Sequence, residues 1–384
     1  MENNFNQKVE RKHSDSVKWI KQKYEDSLPF WVADSDYNTY SEVKDEIINV
    51  ASNTIFGYSV IPDKFYESIS SWYKRYNSEV DTSWISAQTG VITSIRVILD
   101  ALTKEGDGVI LQTPVYHTFH KVINGMKRVI IENKLKKVND TYQMDFDNLE
   151  KLFKKGHKVM ILCSPHNPVG RLWTKEELTK LKDLVIKYDV SIISDEIHSD
   201  LNITNNLFYS MINFKDIHPY LYVCNAPSKA FNIAGLSTSY VIIPNEKRKE
   251  EFDNLVSRDC LPSPTIFGIR ALIKAYNTGD NFIKEQNKHI LNNYNYLKEY
   301  LNETIKEIIV TKLEATYLVW LDLSYLNKTS EEITKILDDA HITCSSGKQF
   351  SNDYGSFIRF NIACPKEQLK EGLDRLIGAL NETR

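Results

Sequence analysis

The chain has 384 residues, of which 42% are hydrophobic and 26% charged, with 48 Lys+Arg against 51 Asp+Glu. A net charge of -3 leaves no basic surplus for the broad positive face of a general nucleic-acid binder. The length exceeds one simple core and predicts two domains, or a large domain with a smaller companion.

In chain order, the first strong signal is SAQTGVITSIRVILDAL, in which a helix begins at Gly90, Val91 and Ile92. Short apolar runs follow and predict strands at Gly108 to Thr113, Arg128 to Glu132, Lys158 to Ser164, Val190 to Ser194, Tyr220 to Asn225 and Ser237 to Ile243. Several are nearly continuous in Val, Ile and Leu, as strands covered on both faces are. Between two of them lies TKEELTKLKDLVIKYD, whose Thr174 and Glu177 form a capping-box pattern and whose Leu178, Leu181 and Val185 recur at helical spacing. Strand, helix, strand is the signature of an α/β domain. After Ser263 the pattern changes to two long helices, near Thr265 to Tyr276 and Phe282 to Leu301. A short α+β region closes the chain, with YLVWLDL, a helix near Glu331 to Ala340, and SFIRFNIA. The expected division is a large α/β domain over 46–275 and a small domain built from 1–45 and 276–384.

Ligands of open α/β sheets bind beyond the carboxyl ends of the strands. Three predicted strands end there in polar residues: one presents Asn167, one Asp195 and His198, one Ser228 and Lys229. Such a set matches the needs of pyridoxal phosphate (PLP). A lysine forms the imine once burial or nearby positive charge has made it a free amine. A carboxylate keeps the pyridine nitrogen protonated, and Asn167 and His198 can both donate to the ring hydroxyl. Tyr116 offers an aromatic face, and the helix N-terminus at Gly90, Val91 and Ile92 offers free amides to a phosphate.

SPHNPVGRLWTKEEL, SDEIHSDL, APSKAFNIAGLSTS, ATYLVWLDL and FIRFNIACP resemble the blocks of fold-type-I PLP enzymes. More narrowly they are similar to the MalY/PatB-like cystathionine β-lyase branch of the class-I/II aminotransferases. The likeness runs from LPFWVADSDY to FIRFNIACP, nearly the whole chain. It implies a mixed, mostly parallel seven-stranded sheet and a smaller α+β domain, with Lys229 as the Schiff-base lysine and Asp195 at the pyridine nitrogen. It implies Asn167 and His198 near the ring oxygen, Tyr116 stacked on the ring, and Val91, Ile92 and Ser228 about the cofactor. Ala33, Asn167 and Arg359 would bind substrate, with Arg359 clamping the α-carboxylate, and Tyr58 would reach the phosphate of the partner in a homodimer. Two positions depart from the branch: Ser35 and Tyr37 stand where Met and Phe are usual, toward the substrate end. Gly235 and Leu236 occupy the stretch where many aminotransferases carry a phosphate-binding arginine, which is normal for the lyase branch.

The implied reaction is C–S β-elimination from cystathionine or a related cysteine conjugate. An aminotransferase is the alternative, and a regulator acting through protein contacts is a third. Other motifs fail. GDGVIL lacks the third glycine of a dinucleotide fingerprint and precedes its strand, SSGKQ is no P-loop, and H-E-x-x-H is absent. The five cysteines form no C-x-x-C pair, which leaves zinc and thioredoxin-type sites without support. The N-terminal MENNFNQKVERKH has no apolar stretch like that of a signal peptide, and no apolar run has membrane-spanning length. The expected compartment is a reducing cytoplasm, with a small amino acid as partner and neither nucleic acid nor membrane.

Overall fold

The computed structural model describes residues 3–53 and 55–382. Its centre is a seven-stranded sheet in the order Ile85–Gln88, Ser239–Ile242, Leu221–Asn225, Ser191–Asp195, Val159–Cys163, Gly108–Leu111, Val129–Glu132. The last five pair in parallel, whereas Ser239–Ile242 runs antiparallel to both its neighbours. Successive side chains of a strand point to opposite faces, and here both faces are apolar. Val159, Ile161 and Cys163 join one cluster with the helix Val91–Leu102, while Met160 and Leu162 join the other. Every residue of Val159–Cys163, Ser191–Asp195 and Leu221–Asn225 is buried, which is why those runs read as continuous hydrophobic stretches.

All six predicted strands are present; five are shorter than the apolar runs that announced them, and Ser191–Asp195 is shifted one residue toward the C-terminus. The seventh, Ile85–Gln88, has no such run: it is four residues long and half of it is Ser and Gln. The helix Lys175–Tyr188 opens with the expected capping box, Thr174 and Glu177 each satisfying the other's backbone amide. It stops at Asp189, whose φ of 53° ends the helical path.

The C-terminal part is a four-stranded antiparallel sheet, Ile309–Val310, Leu318–Asp322, Phe357–Asn361 and Ser345–Ser346 in that order. The helices Asp280–Thr304, Ser330–Asp339 and Lys366–Glu382 accompany it. The N-terminal strand Leu28–Pro29 pairs in parallel with Ile342–Thr343, and Phe30 stacks on Phe360 at 4.2 Å. Gly372 permits this seat, because a Cβ there would lie 2.3 Å from the Phe30 ring. Both expected division points, 45/46 and 275/276, fall inside helices, Ser41–Ala51 and Ile266–Thr278.

A knot of charge ties the N-terminal arm down. Lys18 and Asp36, both almost wholly buried, meet at 2.7 Å, and Arg11 reaches Asp36 at 2.7 Å and Asp34 at 2.9 Å. Trp19 Nε1 and Gln368 Nε2 donate to the remaining positions on Asp36. Burial alone would raise the Asp36 carboxyl, but Lys18, Trp19 and Arg11 outweigh it and hold it below its ordinary 3.8. The pair therefore contributes stability above that value and loses it as pH falls through the lower folded value. Asp36→Asn should cost about 3 kcal/mol at pH 7, because a buried ammonium loses its nearer carboxylate and keeps only Asp34 at 3.5 Å. Urea unfolding measures this, and an unchanged midpoint would refute the knot's importance.

Candidate active site

The central strands end in register, with Cys163 opposite Asp195 and Asp195 opposite Cys224. The loops that follow all leave from one sheet edge and carry Asn167, His198 and Lys229 to the same place. Helix Val91–Leu102 begins beneath them. Val91 belongs to the buried cluster that also holds Cys163, Cys224 and Ala226, and Ile92 and Tyr116 pack on that cluster. Gly90 brings no side chain to cap this helix, so its first amides have no intrahelical or capping acceptor. Tyr116 starts the next helix, His117–Gly125, and its ring meets Phe119 edge-on at 5.6 Å. Ser228 is half-buried, and its carbonyl accepts from the Ile233 amide, shaping the loop that bears Lys229.

Lys229 Nζ donates to the Ala33 carbonyl oxygen at 2.8 Å. Burial brings its amine down to about 8; Asp34 and Asp195 oppose that shift and Arg359 adds to it. Burial acts on Asp195 in the opposite direction and raises its carboxyl to about 7, against the Ile197 amide at 3.1 Å and the field of Lys229. Asp195 caps no helix; that amide bond holds a turn. His198 is pushed down to about 3 by burial and by Lys229 and Arg359, so its ring is neutral. The buried Nδ1 of His198 has no partner, and its ring faces Tyr317 edge-on at 6.3 Å.

Arg359 lies in the middle of Phe357–Asn361, fully surrounded by protein. Its Nη1 donates to Asn167 Oδ1 at 3.0 Å, and its Nη2 to the Trp31 carbonyl at 2.7 Å and to Ser345 Oγ at 3.3 Å. Burial lowers the guanidinium to about 10, and Nε is buried without a partner. Among the described residues Arg359 has no carboxylate in contact, and an unpaired buried guanidinium is costly to maintain. Arg171 shows the contrast: equally buried, it is satisfied by Glu314 at 2.5 Å and Glu177 at 2.6 Å.

Lys229, Asp195, His198, Asn167, Arg359 and Ala33 thus meet at one point, with Tyr116 and the Val91 helix adjoining. Tyr58 does not meet its own chain's site. It is fully exposed, in a stretch that also exposes Ile55, Phe56 and Val60. Ser35 and Tyr37, expected toward the substrate end, bond to the lysine loop instead. The Ser35 amide and carbonyl both engage the Asn232 side chain. Tyr37 donates to Gln286 Oε1 at 3.0 Å, and Gln286 Nε2 donates to the Ala230 carbonyl at 2.9 Å. Sequence reasoning missed Tyr317, whose hydroxyl donates to Ala33 O, and Asp34 and Trp31 beside it. It also missed His117, lowered to about 4 by burial, Arg359, Lys121 and His120. The block ATYLVWLDL contains Tyr317, but no residue pattern announces its role, because its partner is a backbone atom 284 positions away.

A mostly parallel seven-stranded sheet with a smaller α+β unit, and a half-buried lysine beside a buried carboxyl and amide at one edge, is the fold-type-I arrangement of PLP enzymes. Residues 29–376 match the family Aminotransferase class I and II, and the chain belongs to that family. Cystathionine beta-lyase PatB of Bacillus subtilis (strain 168) is 32% identical over 386 residues, covering 98% of this chain and 100% of PatB. Cystalysin from Treponema denticola, whose crystal structure contains a pyridoxal 5'-phosphate cofactor, is 31% identical with a TM-score of 0.96 over 100% of both chains. The PLP-bound C-S lyase from Staphylococcus hominis is 27% identical with a TM-score of 0.92, covering 99% of this chain and 98% of that one.

Proposed function

We propose that the protein is a PLP-dependent carbon–sulfur β-lyase that splits cystathionine or a related cysteine S-conjugate into a thiol, pyruvate and ammonia. One observation carries the reading: a buried amine, a buried carboxyl and a guanidinium without an acidic partner converge at the sheet edge. The lyases among the similar proteins support it.

PLP fits this donor set. Asp195, its carboxyl raised by burial, gains a cationic partner in a protonated ring nitrogen. The unpartnered Nδ1 of His198 and the free amide nitrogen of Asn167 suit the ring oxygen, and Tyr116 suits the ring face. Val91, Ile92 and Ser228 suit the phosphate, a helix N-terminus being favourable for an anion. When bound, the cofactor draws electrons from the substrate's Cα and makes its proton acidic.

Arg359 receives the α-carboxylate as a two-pronged partner, with Ala33 and Asn167 beside it. Lys229 Nζ takes the Cα proton; an amine brought down to about 8 is largely free at slightly alkaline pH. With sulfur on Cβ, loss of a thiolate competes with return of that proton, since a thiol pKa of about 8.5 makes a serviceable leaving group. The aminoacrylate released hydrolyses to pyruvate and ammonia.

We take 46–275 as the cofactor domain and 1–45 with 276–384 as the small one; the pairing of Leu28–Pro29 with Ile342–Thr343 supports that grouping. Five unpaired cysteines support a reducing, cytoplasmic setting. Among the described residues no helix is long and apolar enough to cross a membrane. The exposed apolar stretch around Tyr58 supports a homodimer in which that residue serves the partner's phosphate.

Incubated with cystathionine and no oxo-acid acceptor, the protein should release pyruvate, and Lys229→Ala should lose both turnover and the visible absorbance of bound cofactor. Turnover that requires a 2-oxo acid and yields no thiol would make it an aminotransferase. Arg359→Lys should raise KM about tenfold or more, as a fork becomes a single point contact; unchanged amino-acid binding would make Arg359 structural. For the shared site, mixing subunits with severe lesions at Tyr58 (Tyr58→Ala) and at Lys229 gives heterodimers with one site carrying neither lesion. Activity should recover toward roughly a quarter of the parent value under random assortment. A monomer by light scattering, or no recovery after verified exchange, would sink the shared-site model.

A further inference from the structure

Lys229 is held by a backbone atom, and that atom is itself held. The Ala33 carbonyl oxygen accepts from Lys229 Nζ at 2.8 Å and from the Tyr317 hydroxyl at 3.0 Å, so both its lone pairs are in use. We propose that Tyr317 is a positioning residue for the base: it aims the Ala33 carbonyl, and the Ala33 carbonyl receives the Lys229 ammonium formed when Nζ takes a proton. The inference rests on the reading of Lys229 as that base.

Three observations support it. Tyr317 is completely buried, and among the described residues its hydroxyl's one hydrogen bond is to Ala33, so its polar end points at the site rather than at packing needs. The residue before it, Thr316, has φ of 72°, in the left-handed region that a β-branched side chain strongly disfavours. Strain of this kind persists where the surroundings over-determine the backbone, and it clusters at functional sites. Here it turns the chain just ahead of Leu318–Asp322 and swings Tyr317 under Ala33; the Thr316 amide donates to Leu201 O at 2.7 Å and the Tyr317 carbonyl accepts from Ile362 at 2.9 Å.

The third observation is that neighbouring carbonyls are engaged in the same way. Trp31 O accepts from Arg359, Val32 O and Asp34 O from Asn361, and Ser35 O from Arg11 and Asn232. The Ala33 carbonyl therefore has little freedom except in its own tilt, which Tyr317 governs. The charged and titratable groups facing Lys229 are Asp34, Asp195, Arg359 and His198. None of them makes a direct hydrogen bond to Nζ, so the carbonyl is the contact that receives the ammonium. A fixed acceptor favours the charged form; a loose one favours it less.

Tyr317→Phe keeps the ring and its packing and deletes only the anchor. In cofactor-free protein the titration midpoint of Lys229, read by competitive acetylation and mass spectrometry, should fall by roughly half a unit or more. In loaded enzyme kcat should fall about tenfold with KM within about twofold, the split expected when a proton-transfer step is impaired and substrate binding is not. Tyr294→Phe, which also removes a buried hydroxyl from the small unit but bonds Thr311 O, should leave the midpoint in place. A midpoint that stays or rises in folded Tyr317→Phe overturns the proposal, as does an equal fall in Tyr294→Phe. Retention of cofactor absorbance by Lys229→Ala would instead overturn the reading of Lys229, whatever Tyr317→Phe does.

Discussion

Five consecutive backbone carbonyls, from Trp31 to Ser35, hold the site together. This stretch is half-buried from Trp31 to Asp34 and has no regular secondary structure, so no ladder satisfies its acceptors. Buried carbonyls must find donors, and these find them in side chains from distant parts of the chain: Arg11, Lys18, Lys229, Asn232, Tyr317, Ser345, Arg359 and Asn361. A requirement of folding thereby becomes a positioning device. The amine and the guanidinium that the proposed chemistry needs are both set by one short segment, which the buried Lys18–Asp36 pair ties to the N-terminal arm.

The same physics separates structural charge from chemical charge. Arg11, Lys18, Asp34 and Asp36 pair at contact distance, and the pairing holds the Asp36 carboxyl down despite burial. Lys229 and Asp195 share a cleft without a direct bond, so desolvation moves each toward its neutral form, to about 8 and about 7. A raised carboxyl alone does not define a site. Glu196, next in the chain, is also raised to about 7 by burial, yet both its oxygens are already engaged, by Ser194, Ser210 and the Met211 amide. What distinguishes Lys229, Asp195, His198 and Arg359 is unused bonding capacity facing a common point.

That distinction also explains what could be read without the structure. Asn167, Asp195 and Lys229 were legible because each ends or follows a fully buried strand, and an apolar run that ends in polar residues is a local signal. Arg359 was legible for the related reason that a guanidinium inside a hydrophobic run demands an explanation. The edge strand Ile85–Gln88 escaped because four residues with Ser and Gln carry too little apolar pattern. The closing helix Lys366–Glu382 has a clear apolar stripe, Leu369, Leu373, Leu376 and Leu380, that was there to be found. Tyr317 and residues 31–35 lay inside the blocks ATYLVWLDL and LPFWVADSDY, but their pairing carried no signal, since backbone acceptors are the same in every sequence and only the fold pairs them. The departure of Ser35 and Tyr37 from the usual residues was visible, but its meaning was not. Their bonds run to Asn232 and Gln286, beneath the lysine loop.

The placement of Lys229 also bears on why elimination would win over transamination in the proposed reaction. Both begin with the Cα proton passing to Nζ, and they diverge in what happens next. Transamination requires Nζ to give that proton back at a neighbouring carbon, which is easier for a more acidic ammonium. Elimination requires the proton to stay away while the thiolate leaves Cβ. A carbonyl acceptor aimed at Nζ from Ala33, with Asp34 adding its field, offsets part of the fall that burial and Arg359 impose on this amine, and leaves the ammonium a poorer acid than it would be without them. Each pKa unit so gained is worth about 1.4 kcal/mol against the return of the proton. With sulfur on Cβ that interval favours departure of the thiolate, and on a substrate without a leaving group the same site would still be able to transaminate slowly. On the proposed reading, the balance between the two outcomes would depend on the tilt of one carbonyl as well as on the identity of the lysine.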